Sequence, residues 1–232
     1  SNALGVSRQT LQSWQPGEEP TVVSPGAPDP DLKTAAPRVA VAAPQAGESV
    51  AGKGEVNSDH KAHLKTPAER LGLEGKARAK QEKCLAEAVY FEARGEAVRG
   101  QIAVAQVVMN RVFSGFYPTT VCGVVYQNAN RRLACQFTFA CDGIPDVVRE
   151  PDMWDRARKI AKATLDGELW LPEVAKSTHY HAYWVHPSWV REMRKLTKTG
   201  LHIFYRPRQW GDGSEVPAWG SPEETAAIAA KL

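Results

Sequence analysis

Apolar positions recur with a helical period over three stretches of this chain, and shorter stretches alternate in the manner of strands. From Glu82 to Arg94, Leu85, Ala88 and Val89 line one face of a predicted helix that Gly95 would cap. A second helix, from about Ala97 to Phe113, carries Ile102, Val104, Val107, Val108, Met109 and Val112 nearly all round, the pattern of a central buried helix. Asn110 and Arg111 fall near its end as capping or scaffolding groups. Val121 to Gln127 reads as a short helix. An amphipathic helix runs through Met153, Trp154, Ala157, Ile160, Ala161, Thr164 and Leu165 between an Asp152 N-cap and a Gly167 C-cap. Gln136 to Phe139 alternates like a short strand ahead of the Asp142-Gly143 turn. His179 to Trp184 alternates too, with His179, His181 and Tyr183 on one face. Leu201 to Arg206 reads as an edge strand, Trp210 to Gly213 as loop, and Ser221-Pro222-Glu223-Glu224 as the start of a short helix. The fold class is α+β, mainly α.

Composition confines this folded part to the later two thirds. Before Tyr90 the only aromatic residue is Trp14, and eight of the sixteen prolines lie between Pro16 and Pro67. So little bulky apolar material cannot offset the entropy of ordering the chain. The expected organisation is a low-complexity linker over 1–78, a single domain over 79–210, and a C-terminal extension with a short helix over 211–232. Ser1-Asn2-Ala3 has the look of an expression scar. A proline-rich spacer directly after it is what would remain had an N-terminal signal or membrane anchor been trimmed. No run of about eighteen apolar residues occurs. The net charge of +3 is too mild to select a partner.

One residue breaks the pattern. Glu92 falls on the same face as Leu85, Ala88 and Val89, in the last helical turn, where burial and the negative end of the helix dipole both disfavour its ionised form. A carboxyl group held protonated near neutral pH is what general-acid cleavage of a glycosidic bond requires. The competing reading is a structural acid paired with Arg94, Arg99 or Arg111. Of the possible second acids, Glu87 lies about 140° round the helix. Glu96 follows Gly95, where the chain is expected to turn away. Asp142, in its turn, is the better candidate.

The stretch YFEARGEAVRGQIAVAQVVMNRV, then FYPTTVCGVVYQ, CQFTFACDG and THYHAYWVHPSW, resembles the SleB/CwlJ-type cell-wall hydrolases over roughly residues 82 to 207. The resemblance implies a compact lysozyme-like (lytic-transglycosylase-like) fold, with Glu92, the first Glu of EARGE, as catalytic acid. It implies cleavage of the peptidoglycan MurNAc-GlcNAc strand, in several members by lytic transglycosylation, where the muramic C6 hydroxyl closes on the anomeric carbon. No metal or cofactor is implied. In that frame Gln136 suits an acetamido group, and Tyr180, Tyr183 and Trp184 offer faces to sugar rings. Phe137, His179 and His181 join them as groove candidates, with one of Phe137 and Phe139 filling the core. The expected partner is the glycan strand, with no nucleic acid, a monomeric state and a periplasmic or cell-envelope location.

Cys84, Cys122, Cys135 and Cys141 allow three disulfide pairings, and the family's spore-forming members are not rich in cysteine. Cys122 with Cys135 and Cys84 with Cys141 is favoured, since the latter would tie the Glu92 helix to the CDG turn. A zinc site fits the cysteine spacing poorly. Two other functions stay open: a metal-dependent amidase or peptidase built on His179, His181 and Cys135 or Asp142, and a non-catalytic wall-binding module in which Glu92 is structural.

Overall fold

A computed structural model describes residues 65–131, 135–211 and 219–232. The first 64 residues, most of the expected linker, lie outside the described residues, as do Asp212 and Gly213. Helical structure is already present ahead of the expected boundary at 78. A one-turn helix α1 (Pro67–Arg70) is held by a reciprocal capping box between Thr66 and Glu69. Helix α2 (Gly75–Ala93) follows, two turns longer at its start than the apolar periodicity indicates, because those turns are largely polar and solvent-facing. Helix α3 (Val98–Val112) buries every residue from Gly100 to Val112, and α4 (Val121–Val125) is capped by the Thr120 side chain at Gly123 N–H. Helix α5 (Pro151–Leu165) starts two residues earlier than predicted. Pro151 occupies the first turn and Glu150, not Asp152, is the N-cap, while Gly167 takes the left-handed conformation expected past the C-terminus (φ 77°). Helices α2, α3, α4 and α5 pack together around one core that includes Leu85, Val89, Ile102, Met109, Val124 and Ile160.

A three-stranded antiparallel sheet, β1 (His179–Ala182), β2 (Met193–Thr199) and β3 (His202–Pro207), stands in the order β1-β3-β2. The segment read as an edge strand is therefore the central one. Strand β2 carries Arg194, Lys195 and Lys198 where apolar alternation would signal a strand, so its pattern gave no warning. The mainly helical α+β class is as expected from the sequence.

Two corrections concern residues 135–141. The disulfides join Cys84 to Cys122 and Cys135 to Cys141 rather than in the favoured pairing. Helices α2 and α4 pack directly, with Gln81 accepting from Cys122 N–H at 2.9 Å, which brings their cysteines to a Cα separation of 5.2 Å. The six-residue Cys135–Cys141 closure then bends the segment expected to be a strand. Thr138–Ala140 forms a 3-10 turn, and Phe137 and Phe139 both enter the core. A ring that tight cannot hold an extended strand.

The C-terminal extension is part of the same packing. Trp219 is buried edge-to-face on Trp170, and the Trp170 N–H donates to Thr225 Oγ1 of helix α6 (Pro222–Ala229) at 2.7 Å. Segment 169–178, which delivers the chain to β1, is fixed by amide side chains of α3. Gln106 accepts from Leu171 N–H (2.7 Å) and donates to the carbonyls of Leu171 (3.0 Å) and Ala175 (2.8 Å). Asn110 donates to the carbonyls of Ala175 (2.9 Å) and Ser177 (2.8 Å). Ala175 is held at φ 47°, a left-handed conformation costly for alanine, and its doubly bonded carbonyl is what keeps it there. The buried polar residues of α3 thus set the position of the sheet against the helices.

Candidate active site

Glu92 sits in the last full turn of α2, where that helix meets β1 and β3. Its surface is partly open, but the carboxyl lies deep enough that loss of solvent dominates its acidity. Burial raises its pKa from 4.5 to about 7, against the opposing effects of the His202 charge and a hydrogen bond from Tyr180. Tyr180 Oη donates to Glu92 Oε2 at 3.2 Å. Burial, with the Glu92 charge beside it, pushes the Tyr180 hydroxyl well above the usual phenol range, so it stays a donor.

Behind this pair stands Glu96, which does not turn away as expected. It is buried, accepts from Leu201 N–H at 3.0 Å, and lies 2.5 Å from His202 Nδ1 through its other oxygen. His202 pairs in register with Ala182 on β1, which puts its ring edge-to-face with Tyr180 at 4.8 Å between centroids. The acid, the tyrosine, the histidine and the second glutamate form one cluster from three separate elements.

A second cluster adjoins it around Arg111, whose side chain is fully buried. Its Nε donates to the Thr178 carbonyl and its Nη2 to Gln136 Oε1, each at 2.7 Å, while the guanidinium packs over the rings of Tyr117 and Phe137. Burial pulls its pKa down, opposed by Tyr117 and Tyr180. Gln136 therefore has its carbonyl oxygen occupied by Arg111. His179 is buried between Thr178 Oγ1 (3.0 Å) and Tyr117 Oη (3.3 Å). Burial, helped by Arg111, lowers its pKa to about 3, so it is neutral.

The remaining groove candidates scatter. His181 bonds the Ala182 carbonyl through Nδ1 (2.9 Å) and Tyr205 Oη through Nε2 (3.0 Å), and stacks on the Tyr205 ring. Tyr183 and Trp184 lie past the end of β1 on an exposed turn, Tyr183 beneath Lys198. Phe137 is wholly buried, which removes it from any groove. Asp142 accepts from Ile144 N–H at 2.8 Å, closing its turn, and its electrostatic neighbour is Asp146, not Glu92. Glu87 accepts from Tyr126 Oη on its own face of α2. Among the described residues no group of three or more His, Cys, Asp or Glu is disposed to hold a metal ion, and no helix is long and apolar enough to cross a membrane.

Reading the sequence alone misses Glu96 and His202. The signals were there: a second acid four residues after the first, and glycines at 100 and 200. Nothing in the pattern, however, says that distant glycines flank the same carboxyl.

A desolvated acid at a helix end, faced by a tyrosine and a histidine from a small sheet, defines a candidate acid-catalysis site in a mainly helical domain. Residues 95–205 match the family model described as Cell Wall Hydrolase, and the chain is similar to members of that family. The matched stretch opens three residues after Glu92. The chain is 33% identical over 120 residues to the spore cortex-lytic enzyme of Oceanobacillus iheyensis, covering 52% of this chain and 39% of that protein. It is 31% identical to the spore cortex-lytic enzyme of Bacillus subtilis over 52% of this chain and 35% of that protein. The chain thus spans well under half the length of these relatives. Among solved structures, the catalytic domain of the Bacillus cereus SleB protein is 32% identical, with 55% of this chain and 91% of that one covered and a TM-score of 0.45.

Proposed function

We propose that this protein cleaves the MurNAc-GlcNAc glycan strand of peptidoglycan as a lytic transglycosylase, with Glu92 as its single catalytic carboxyl. The observation that carries the reading is a carboxyl whose pKa burial lifts to about 7 at a seam between helix and sheet, which keeps a proton available near neutral pH. The match to the Cell Wall Hydrolase model and the names of the relatives, spore cortex-lytic enzymes, agree with a cell-wall substrate. Among the described residues the groups that act on Glu92 are His202 and Tyr180, while Glu96, the other carboxylate of the cluster, is engaged by His202 and the Leu201 N–H. Such a site suits a mechanism in which Glu92 protonates the leaving glycosidic oxygen and, once ionised, takes the proton of the muramic C6 hydroxyl as that oxygen closes on the anomeric carbon. Tyr180 holds the carboxyl, and the Gln136 amide N–H, oriented by Arg111, is offered to the acetamido carbonyl. Tyr183 and Trp184 supply exposed ring faces further along the strand. Two disulfides fit an oxidising compartment, and we place the protein in the periplasm or cell envelope as a monomer.

Purified sacculi incubated with the native protein and with Glu92→Gln decide the matter. Soluble muropeptides from the native protein are expected to be about 18 Da lighter than their hydrolysed counterparts, because no water is added, with none released by the variant. Hydrated products would instead require a second carboxylate. Equal release by both proteins would remove Glu92 from the chemistry.

A further inference from the structure

The Glu96–His202 pair is an expensive feature for a fold to keep. A buried ion pair seldom stabilises more than a well-packed apolar substitute would, because both charges lose their water. The surroundings are nonetheless fitted to it. Gly100 lies in the first turn of α3, where glycine is a weaker helix former than alanine, and a Cβ there would run into the Glu96 carboxyl. Gly200, in the β2–β3 turn at φ 58°, is the other wall, and a Cβ on it would meet the same oxygen. Leu201 N–H fixes that oxygen, leaving the other to face His202 Nδ1. The carboxyl is thus confined from two elements so that it meets one imidazole nitrogen.

That imidazole has charged or titratable neighbours on every side. Glu96 lies in the α2–α3 turn, Glu92 on α2, and Tyr180 and His181 on β1. Its ring supports the Tyr180 ring that carries the hydroxyl bonded to Glu92.

We propose that Glu96 and His202 are a positioning pair for Glu92: Glu96 orients His202, His202 braces Tyr180, and Tyr180 holds the carboxyl at its working angle. The inference rests on Glu92 being the acid of the proposed reaction, and it extends that reading to two residues that do not touch the substrate. His202 also opposes the effect of burial on Glu92, since a charged imidazole favours the ionised carboxyl.

Two measurements test it. In the native protein, the Glu92 carboxyl signal is followed by NMR as pH is varied, and the measurement is repeated in folded His202→Gln or His202→Asn. Because the His202 charge opposes the effect of burial on Glu92, the Glu92 midpoint is expected to rise in the variant, and an unchanged midpoint overturns the proposal. The second measurement is peptidoglycan turnover by His202→Gln and Glu96→Gln. For each variant that folds, kcat is expected to fall about tenfold to a hundredfold with little change in KM, and in His202→Gln, which removes the charge that opposes burial, the alkaline limb of the pH profile is expected to move upward. Folded variants with native kcat and an unmoved limb would make the pair a plain structural ion pair. If the native protein itself releases nothing from sacculi, the glycan-cleaving reading fails, while the Glu92 midpoint still decides whether the pair acts on Glu92.

Discussion

At the scale of single residues, the same burial that keeps Glu92 protonated near neutral pH makes it a liability to the fold. A carboxyl with a pKa of 4.5 in the unfolded chain and about 7 in the folded one binds its proton more tightly when folded. Its contribution to stability is therefore complete below pH 4.5, declines as pH rises through the interval, and is gone above about 7. The difference is about 3 kcal/mol between those limits. Glu92→Gln cannot ionise, so the variant is expected to be inactive yet to resist urea better than the native protein at pH 8, the two converging toward pH 4. Equal urea midpoints at pH 8 would mean that Glu92 is not desolvated. The residue was legible from sequence because an acid on an apolar stripe is a local contradiction, and local contradictions need no tertiary knowledge. Tyr180 was legible only as an aromatic in an alternating run. Glu96 and His202 were not legible, because their meaning lies in each other, 106 positions apart, and neither breaks a local rule.

Among elements, α3 and the segment it grips carry the greatest consequence. A helix buried on every face announced itself in its composition, but what its few polar residues do did not. Gln106 serves two carbonyls and one N–H of segment 169–178, so Gln106→Met fills the same volume and strands those groups. A loss of about 2 to 4 kcal/mol is expected in denaturant unfolding, with turnover reduced as well, since the segment leads into β1 and Tyr180. A variant with native stability would show that water takes over the amide's bonds. The strands were read less well than the helices. Apolar alternation marks a strand only when one face is buried and the other wet, and β2, with its lysines and arginine, does not alternate that way. Residues 136–139 do alternate, yet they are bent by a disulfide whose pairing depends on how α2 and α4 pack. The favoured pairing failed for that reason: spacing along the chain cannot report which helices touch.

For the molecule as a whole, the two disulfides divide their labour. Cys84–Cys122 closes a loop with a sequence separation of 38, embracing α3 and the Glu92 turn, whereas Cys135–Cys141 closes one of 6. On loop entropy alone, removing the first by a double Cys→Ser substitution is expected to cost about 4 kcal/mol and the second about 2.4 kcal/mol. The order of effects on activity is expected to differ less, because the small loop carries Gln136 to Arg111. Thermal unfolding of the two double variants, beside turnover of sacculi, measures both orders; a larger loss of stability from the Cys135–Cys141 pair would overturn the entropic account.

The seam between helices and sheet has a further consequence, which concerns time rather than equilibrium. Glu92 is synthesised early, and Tyr180, which bonds it, follows 88 residues later. Until β1 and β3 have docked on α2, that glutamate is an ordinary surface acid, fully ionised at neutral pH. Contacts this distant in sequence form slowly because the intervening chain must close first. The raised pKa of Glu92 therefore awaits a long-range step of folding, and a nascent or partly folded chain holds Glu92 as an ordinary ionised acid.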